Sequence, residues 1–251
     1  MDKRPLILIS NDDGVHAQGL REVTRLMSLL GDVVVVAPDS PRSGASCSIT
    51  SSVPVQVSLL REEPGISVFS CSGTPVDCIK IACEKIVPVE PDLIVSGINH
   101  GDNASINFHY SGTVGCVFEA CLKGIPAIAY SLRTRKSECD FSPYFETISK
   151  VASLVLEKGL PKGVCLNVNF PEVPELKGVR VCRMAHGSWK TEWNDTEEKG
   201  KYTLAGNFIN LEPKAEDTDY WALGHGMAAI CPLWIDATHY PTIETLSSLQ
   251  V

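Results

Sequence analysis

The sequence predicts an α/β fold: a Rossmann-like, mostly parallel sheet with helices on both faces, an inserted hairpin and an extended C-terminal arm region. Three observations carry this expectation. Apolar runs of strand length alternate with amphipathic stretches of helix length, which is the pattern of βαβ crossovers. Two of the helical stripes run into glycine, as helices that stop do. Finally, 251 residues with 44% apolar and 21% charged content can bury a large core. No repeat, low-complexity tract or linker divides them, so one domain over 1–251 is expected, with a core to about residue 185 and an arm region over 186–251.

Strand-like runs fall in order at 6–10, 33–37, 53–60, 66–71, 93–96, 127–131 and 164–168, and again toward residue 233. Between them, Leu20, Val23, Met27 and Leu30 keep helical spacing before Gly31, and Val76, Ile79, Cys83 and Ile86 do the same. Phe145, Ile148, Ala152 and Val155 form a further stripe ending at Gly159. The runs at 53–60 and 66–71, joined by Arg-Glu-Glu-Pro-Gly, read as a hairpin set into the sheet. After Ala185 the periodicity weakens, and 186–219 reads as extended arms or irregular hairpins. Trp189, Trp193, Tyr202, Tyr220 and Trp221 are many aromatics for so polar a segment, which points to contacts between subunits or to packing back on the core.

The loops after the strands carry the chemistry, since ligands of open α/β sheets bind at the carboxyl ends of strands. The first strand runs into Asn-Asp-Asp-Gly at 11–14. Asp12 and Asp13 repel each other and need compensation, which a hard cation such as Mg²⁺ or Mn²⁺ supplies if Gly14 bends the chain so that both face one point. The same residues also encode a solvated Asx turn. After the second strand, Arg42 offers a phosphate contact and the hydroxyls around it offer metal ligands, although such loops are also plain turns. A third loop, 96–103, sets Asn99 and Asn103 among glycines; amide oxygens are fair ligands for the same cations, and Gly and Asn also simply make turns.

Tyr-Ser-Gly-Thr-Val at 110–114 opens a helical run. Its first amides, beside the Ser111 and Thr113 hydroxyls, make either an anion site or an ordinary N-cap. For Gly-Thr-Pro-Val-Asp at 73–77 the capping box is preferred, with Thr74 as cap and Asp77 reaching back. His16, His100 and His109 lie in or beside these loops as acid, base or substrate contacts. His186, His225 and His239 are read as surface or structural groups. Jointly the loops describe a metal-assisted phosphate site.

Composition bounds the partners. A net charge of −8, from 22 basic and 30 acidic residues, argues against a nucleic-acid duplex or an anionic membrane, yet permits a small anionic substrate. The opening Met-Asp-Lys-Arg and its short apolar run fit neither a signal segment nor a membrane span, so a cytoplasmic protein is expected. Ten cysteines scattered through apolar stretches read as mostly buried thiols.

These motifs occur together, in order, in one family. Asn-Asp-Asp-Gly at 11–14, Ala-Pro-Asp with Arg42 and Ser43 downstream, Gly-Thr-Pro-x-Asp-Cys at 73–78, Ser-Gly-Ile-Asn-x-Gly-x-Asn at 96–103 and Tyr-Ser-Gly-Thr-Val at 110–114 resemble the survival protein SurE family of nucleotidases. Residues 217–222 and 230–233 are similar to its C-terminal part. The resemblance implies a divalent-metal-dependent phosphatase that hydrolyses nucleoside 5′- and 3′-monophosphates, assembled as a dimer or tetramer through C-terminal arms. It assigns metal ligands to Asp12, Asp13, Ser43 and Asn99, and phosphate binding to Asn103, Ser111, Gly112 and Thr113. Asp12, Asp13, Asn103 and Ser111 are thereby the expected catalytic residues, with Arg42 as a further substrate contact. Two positions depart from the family: Ser105 stands where it usually has Gly, and Asn107 where it has an acid. A catalytically weak nucleotide-binding regulator is therefore the alternative. A dinucleotide-dependent oxidoreductase ranks last, because no G-x-G-x-x-G follows the first strand.

Overall fold

The computed structural model describes residues 4–134, 136 and 138–249. Its centre is a parallel run of six strands: β1 (Leu6–Ser10), β2 (Asp32–Pro38), β4 (Ile66–Cys71), β5 (Leu93–His100), β6 (Ala127–Arg133) and β7 (Val164–Pro171). An antiparallel β3 (Val57–Glu63) borders β4, while β13 (Ala228–Trp234) pairs antiparallel with β7 and parallel with β8 (Val179–Val181). The order β3-β4-β2-β1-β5-β6-β7-β13-β8 makes one nine-stranded sheet. The chain builds outward from β1 through β2 to β4, then crosses back to lay β5 on the other side of β1. That reversal is the topological switch point of an open α/β sheet.

Period-two alternation sorts the core into two layers. Ile7 and Ile9 face one side with Val33 and Val35, under α1 (Gln18–Met27) and α4 (Phe145–Lys158) through Leu20, Val23, Met27, Ile148, Ala152 and Val155. Leu8 faces the other with Val36 and Ile94, under α2 (Pro75–Ile81) and α3 (Gly112–Leu122) through Cys78, Ile79, Val114, Val117 and Cys121. Helices thus cover both faces. The stripe expected to run on to Ile86 leaves the α-helical spacing after Ile81 and continues as a wider π turn, Ala82–Ile86. Thr74 does form the capping box with Asp77.

The hairpin forms as expected, with its first strand shifted toward the turn. Residues 53–56 are not strand, and β3 runs through Arg61, Glu62 and Glu63 to a tight turn at Pro64 and Gly65, with a bulge between Leu59 and Arg61. Charges are tolerated there because β3 is the exposed edge, where they discourage pairing with another chain. The hairpin closes one side of the sheet instead of interrupting the parallel run.

The arm is narrower than 186–251. β9 (Gly187–Lys190) pairs with β12 (Asn207–Asn210), and β10 (Trp193–Asp195) with β11 (Tyr202–Leu204), so the chain goes out and returns as one long ribbon. α5 (Asp219–Gly224) and β13 then rejoin the core, whereas α6 (Tyr240–Leu246) buries no residue. Seven of the ten cysteines are buried and Cys47 is exposed. No described helix is long and apolar enough to cross a membrane.

Candidate active site at the strand switch point

β1 and β5 flank the switch point, and their carboxyl ends deliver the first and third loops to one place. Asp12 follows β1 and is 4% exposed. Gly14, at φ +97°, turns the chain back so that Val15 N–H donates to Pro38 O at 2.8 Å. On β5 the pairing register slips between Ser96 and Asn99, a bulge that re-aims the strand end. Arg42 N–H donates to Asp12 O at 2.7 Å, which docks the second loop beside the first.

A cleft of 490 Å³ opens here, lined by Asp12, Ser43, Asn99, Asn103, Ser111 and His100 among others. Asn99 Nδ2 donates to Gly101 O at 2.8 Å, which leaves its amide oxygen available as an acceptor or a metal ligand. Asn103 Nδ2 donates to Ser131 Oγ at 2.7 Å, and its backbone is clamped by Asn169 Oδ1 and Asn167 Nδ2, each at 2.8 Å.

Ser111 is the N-cap of α3, its Oγ accepting from Val114 N–H at 3.1 Å. Gly112 and Thr113 stand behind Asp12, not on the cleft wall. The Thr113 hydroxyl donates to Asp12 Oδ1, and a Cβ on Gly112 would lie 2.8 Å from Asp12 Cβ, so only glycine lets the helix start approach this carboxylate.

Two further expected residues are not on the cleft wall. The Asp13 side chain turns to β5, accepting His100 N–H at 3.0 Å with His100 Nδ1 3.5 Å away. Arg42 is not on the cleft wall: its guanidinium donates to Ser72 O at 3.0 Å and faces Asp39 at 3.5 Å, which draw it away from the position expected of a phosphate contact. Of His16, His100 and His109, only His100 lines the cleft.

The residues missed by sequence reasoning are Ser131, Asn167 and Asn169, buried beneath Asn103. A signal was present: Leu-Asn-Val-Asn-Phe at 166–170 alternates amides into a strand that burial otherwise fills with apolar side chains. Asp219 was also missed. It accepts from Ser105 N–H at 2.7 Å and Ala185 N–H at 2.9 Å, fastening the third loop to α5.

Burial pushes the Asp12 carboxyl up to about 6; hydrogen bonds from Thr113 oppose the shift and the neighbouring Asp13 charge adds to it. The donors around it are all oxygens: carboxylate, hydroxyl and amide. No group of three or more His, Cys, Asp or Glu able to hold a metal occurs among the described residues. The Asp12 carboxylate with the neutral oxygens of Ser43 and Asn99 beside it suits a hard cation such as Mg²⁺ or Mn²⁺ better than a soft one. The residues present fit such an ion, which would relieve the cost of ionising Asp12.

An open, mostly parallel α/β sheet whose loops meet in a cleft at its switch point defines the class: a Rossmann-like protein with its candidate site at the carboxyl edge of the strands. The family model of the survival protein SurE matches residues 7–191. The chain is 51% identical to the 5′-nucleotidase SurE of Phocaeicola vulgatus over 98% of this chain and 97% of that one. It is 49% identical to the 5′-nucleotidase SurE of Bacteroides thetaiotaomicron, over 98% and 96%. The crystal structure of the SurE protein from Aquifex aeolicus superposes with a TM-score of 0.84 at 32% identity, covering 98% of this chain and all of that one. The chain belongs to the survival protein SurE family.

Proposed function

We propose that this protein is a nucleotidase that hydrolyses nucleoside 5′- and 3′-monophosphates to nucleoside and phosphate, using a divalent cation, Mg²⁺ or Mn²⁺. The observation that carries the reading is the convergence of Asp12, Ser43, Asn99 and Ser111 on one 490 Å³ cleft, a size suited to a small ligand. The names of the relatives support the substrate class. Asp12, Ser43 and Asn99 would hold the cation, with Asp13 steadying the loop through His100. When bound, the cation supplies charge neutralisation at the phosphoryl group and activation of water. Ser111 at the start of α3 and Asn103 on its amide network orient the phosphate, and the positive end of the helix favours its charge. Water attacks phosphorus, the ester P–O bond breaks, and the nucleoside oxygen leaves with a proton.

Ser105 and Asn107 leave these groups in place, which supports turnover over a binding-only role. Ser105 adopts φ +53°, the left-handed region that accounts for glycine being usual there, and is held by Oγ donating to Ala185 O at 2.7 Å.

Assembly as a dimer or tetramer is part of the proposal. Its support is exposed apolar surface: Trp193 at 62% and Tyr202 at 60% on the arm, and Ile243 at 50% and Leu246 at 52% on α6. Trp189, Tyr220 and Trp221 instead fold back within the chain, Trp221 stacking on His225 at 3.8 Å.

The test is phosphate release from a nucleotide panel with Mg²⁺, Mn²⁺ or chelator, alongside Asp12→Asn. That exchange keeps shape and removes a charge which burial disfavours. It should abolish most turnover and weaken cation binding while leaving stability unchanged or raised. Near-normal turnover with unchanged cation affinity would defeat the proposal.

A further inference from the structure

Beside the catalytic cleft lies a second and larger one, of 1040 Å³. The two share Gly101, Asp102, Asn107 and Trp189 as wall. That wall belongs to a closed circuit of contacts. Trp189 Nε1–H donates to Asn107 Oδ1 at 3.0 Å, and Asn107 Nδ2 donates to Asp102 Oδ1 at 3.3 Å. Arg133 meets Asp102 Oδ2 at 3.3 Å and lies 4.5 Å over the Tyr220 ring. Tyr220 stacks on Phe208 at 4.4 Å, and Phe208 stands edge-on to Trp189 at 5.7 Å. The circuit ties the arm root, α5 and the end of β6 to the third loop, so the wall between the clefts is a fixed part of the molecule.

The chemistry of the second cleft is unlike the chain as a whole. The protein carries a net charge of −8. Here, however, Arg133 pairs with Asp102 and Lys136 with Glu172, which leaves Lys177 as a cation on the lining with no acidic partner among the described residues. Lys177 is exposed, and its stem is steadied along Gly226 by its own N–H donating to Gly226 O at 2.9 Å. Phe208 and Tyr220 give the same lining an aromatic surface. Cationic groups beside aromatic rings are what single-stranded nucleotide units are recognised by, through phosphate charge and base stacking. The first cleft already has room for a small ligand. The second, at the top of the usual range for ligand pockets, is surplus to a mononucleotide.

We propose that the second cleft binds the nucleotide unit adjoining the one in the catalytic cleft, making the terminal phosphate of a short single-stranded oligonucleotide a substrate. The proposal rests on the nucleotidase reading. The chemistry is the same ester hydrolysis: water oxygen bonds to phosphorus, the terminal P–O bond breaks, and the leaving sugar oxygen takes the proton. The internal phosphodiester is not cut; it sits near Lys177, and its base lies against the edges that the Phe208–Tyr220 stack presents to the cleft.

The experiment measures phosphate release by the full-length protein from a mononucleotide and from the corresponding 5′-phosphorylated dinucleotide, in parent, Lys177→Glu and Lys177→Arg. The expected result is a KM about tenfold lower for the dinucleotide, the effect of one added stacking or phosphate contact. Lys177→Glu should erase that gain, Lys177→Arg should keep it, and mononucleotide kinetics should stay unchanged in both. A dinucleotide that gains nothing, as when a second copy of this chain covers the cleft, overturns the proposal, and so does a gain indifferent to Lys177→Glu. If the parent releases no phosphate from any mononucleotide, the nucleotidase reading fails instead. Equilibrium dialysis of the dinucleotide then decides the cleft alone: binding weakened about tenfold by Lys177→Glu supports it, and unchanged binding overturns it.

Discussion

Asn107→Asp introduces the acid that the family resemblance implies at this position, and the structure makes its consequences calculable. Asn107 Nδ2 donates to Asp102 Oδ1 at 3.3 Å. Replacing that amide with a carboxylate sets two like charges at the same separation, a repulsion of about 5 kcal/mol at an effective dielectric constant near 20. Arg133, 3.3 Å from Asp102 Oδ2, offsets part of this. The Trp189 N–H, which becomes a donor to a charged acceptor, offsets more. The remainder is about 2 kcal/mol, below the ceiling of roughly 4 kcal/mol at pH 7 at which the introduced group would take up a proton instead. For a chain of this size that lowers Tm by about 4 to 8 °C. The sign with pH follows from repulsion, which raises the introduced group's folded pKa above its unfolded value. The loss is therefore absent below about pH 4 and grows as pH rises through the folded value. Thermal unfolding at pH 4 and pH 7 checks this. In turnover, the change should shift preference among nucleotides with little gain on the best one, because Asp12, Ser43 and Asn99 are unaltered. An unchanged or raised Tm at pH 7, or a uniform gain approaching the 10² to 10⁴-fold of general acid-base catalysis, would refute the reasoning.

Gly112→Ala sets a methyl 2.8 Å from Asp12 Cβ and 3.0 Å from Pro75 Cγ, so the carboxylate must move. Turnover should fall on the order of 100-fold, as misplacement by about 1 Å does, and activity kept within threefold or so would contradict the geometry. At the arm root, hydrogen bonds from Arg183 and then from His186 N–H hold the Glu212 carboxyl down to about 2 from its usual 4.5. A lowered folded pKa stabilises fully above the unfolded value and is lost as pH falls through the folded one. Unfolding midpoints of the parent should therefore drop between about pH 4.5 and pH 2, and Glu212→Gln should flatten that part of the curve. A chain ending after residue 236 lacks α6 and should sediment as a smaller species than the parent with its fold intact. A parent already monomeric at micromolar concentration would count against assembly through this tail.

How much of this was legible in the sequence depended on whether the signal was periodic. The run at 6–10 became β1 residue for residue, because a strand buried on both faces must be apolar throughout. The stripe of α4 did the same at period 3.6. What failed were segments at the edge. At 53–63 the burial that enforces alternation is missing, so the strand slid toward its charged end. The arm was legible as polar and extended, but nothing periodic in it told which aromatics return to the core. Trp189 returns because Asn107 offers an acceptor, a partner 82 residues away in sequence.

The site shows the same division at finer scale. Asp12 and Asn99 were singled out separately as loop residues, and only the pairing of β1 with β5 makes them neighbours. That pairing follows from the reversal of strand order, a property of the whole sheet. Arg42 marks the limit of motif reasoning. Its position beside Ser43 is right for a phosphate contact and its backbone does touch Asp12, yet Ser72 O and Asp39 satisfy the guanidinium on the other side. Conversely, Asn167 and Asn169 belong to no motif, but each amide sits on a central strand where an unpaired polar group would cost a few kcal/mol. A buried amide ladder under a loop is itself a statement of function. Its hydrogen bonds fix the backbone of Asn103, so under the proposed function that loop would meet a substrate already ordered, without the entropic cost of ordering at each encounter.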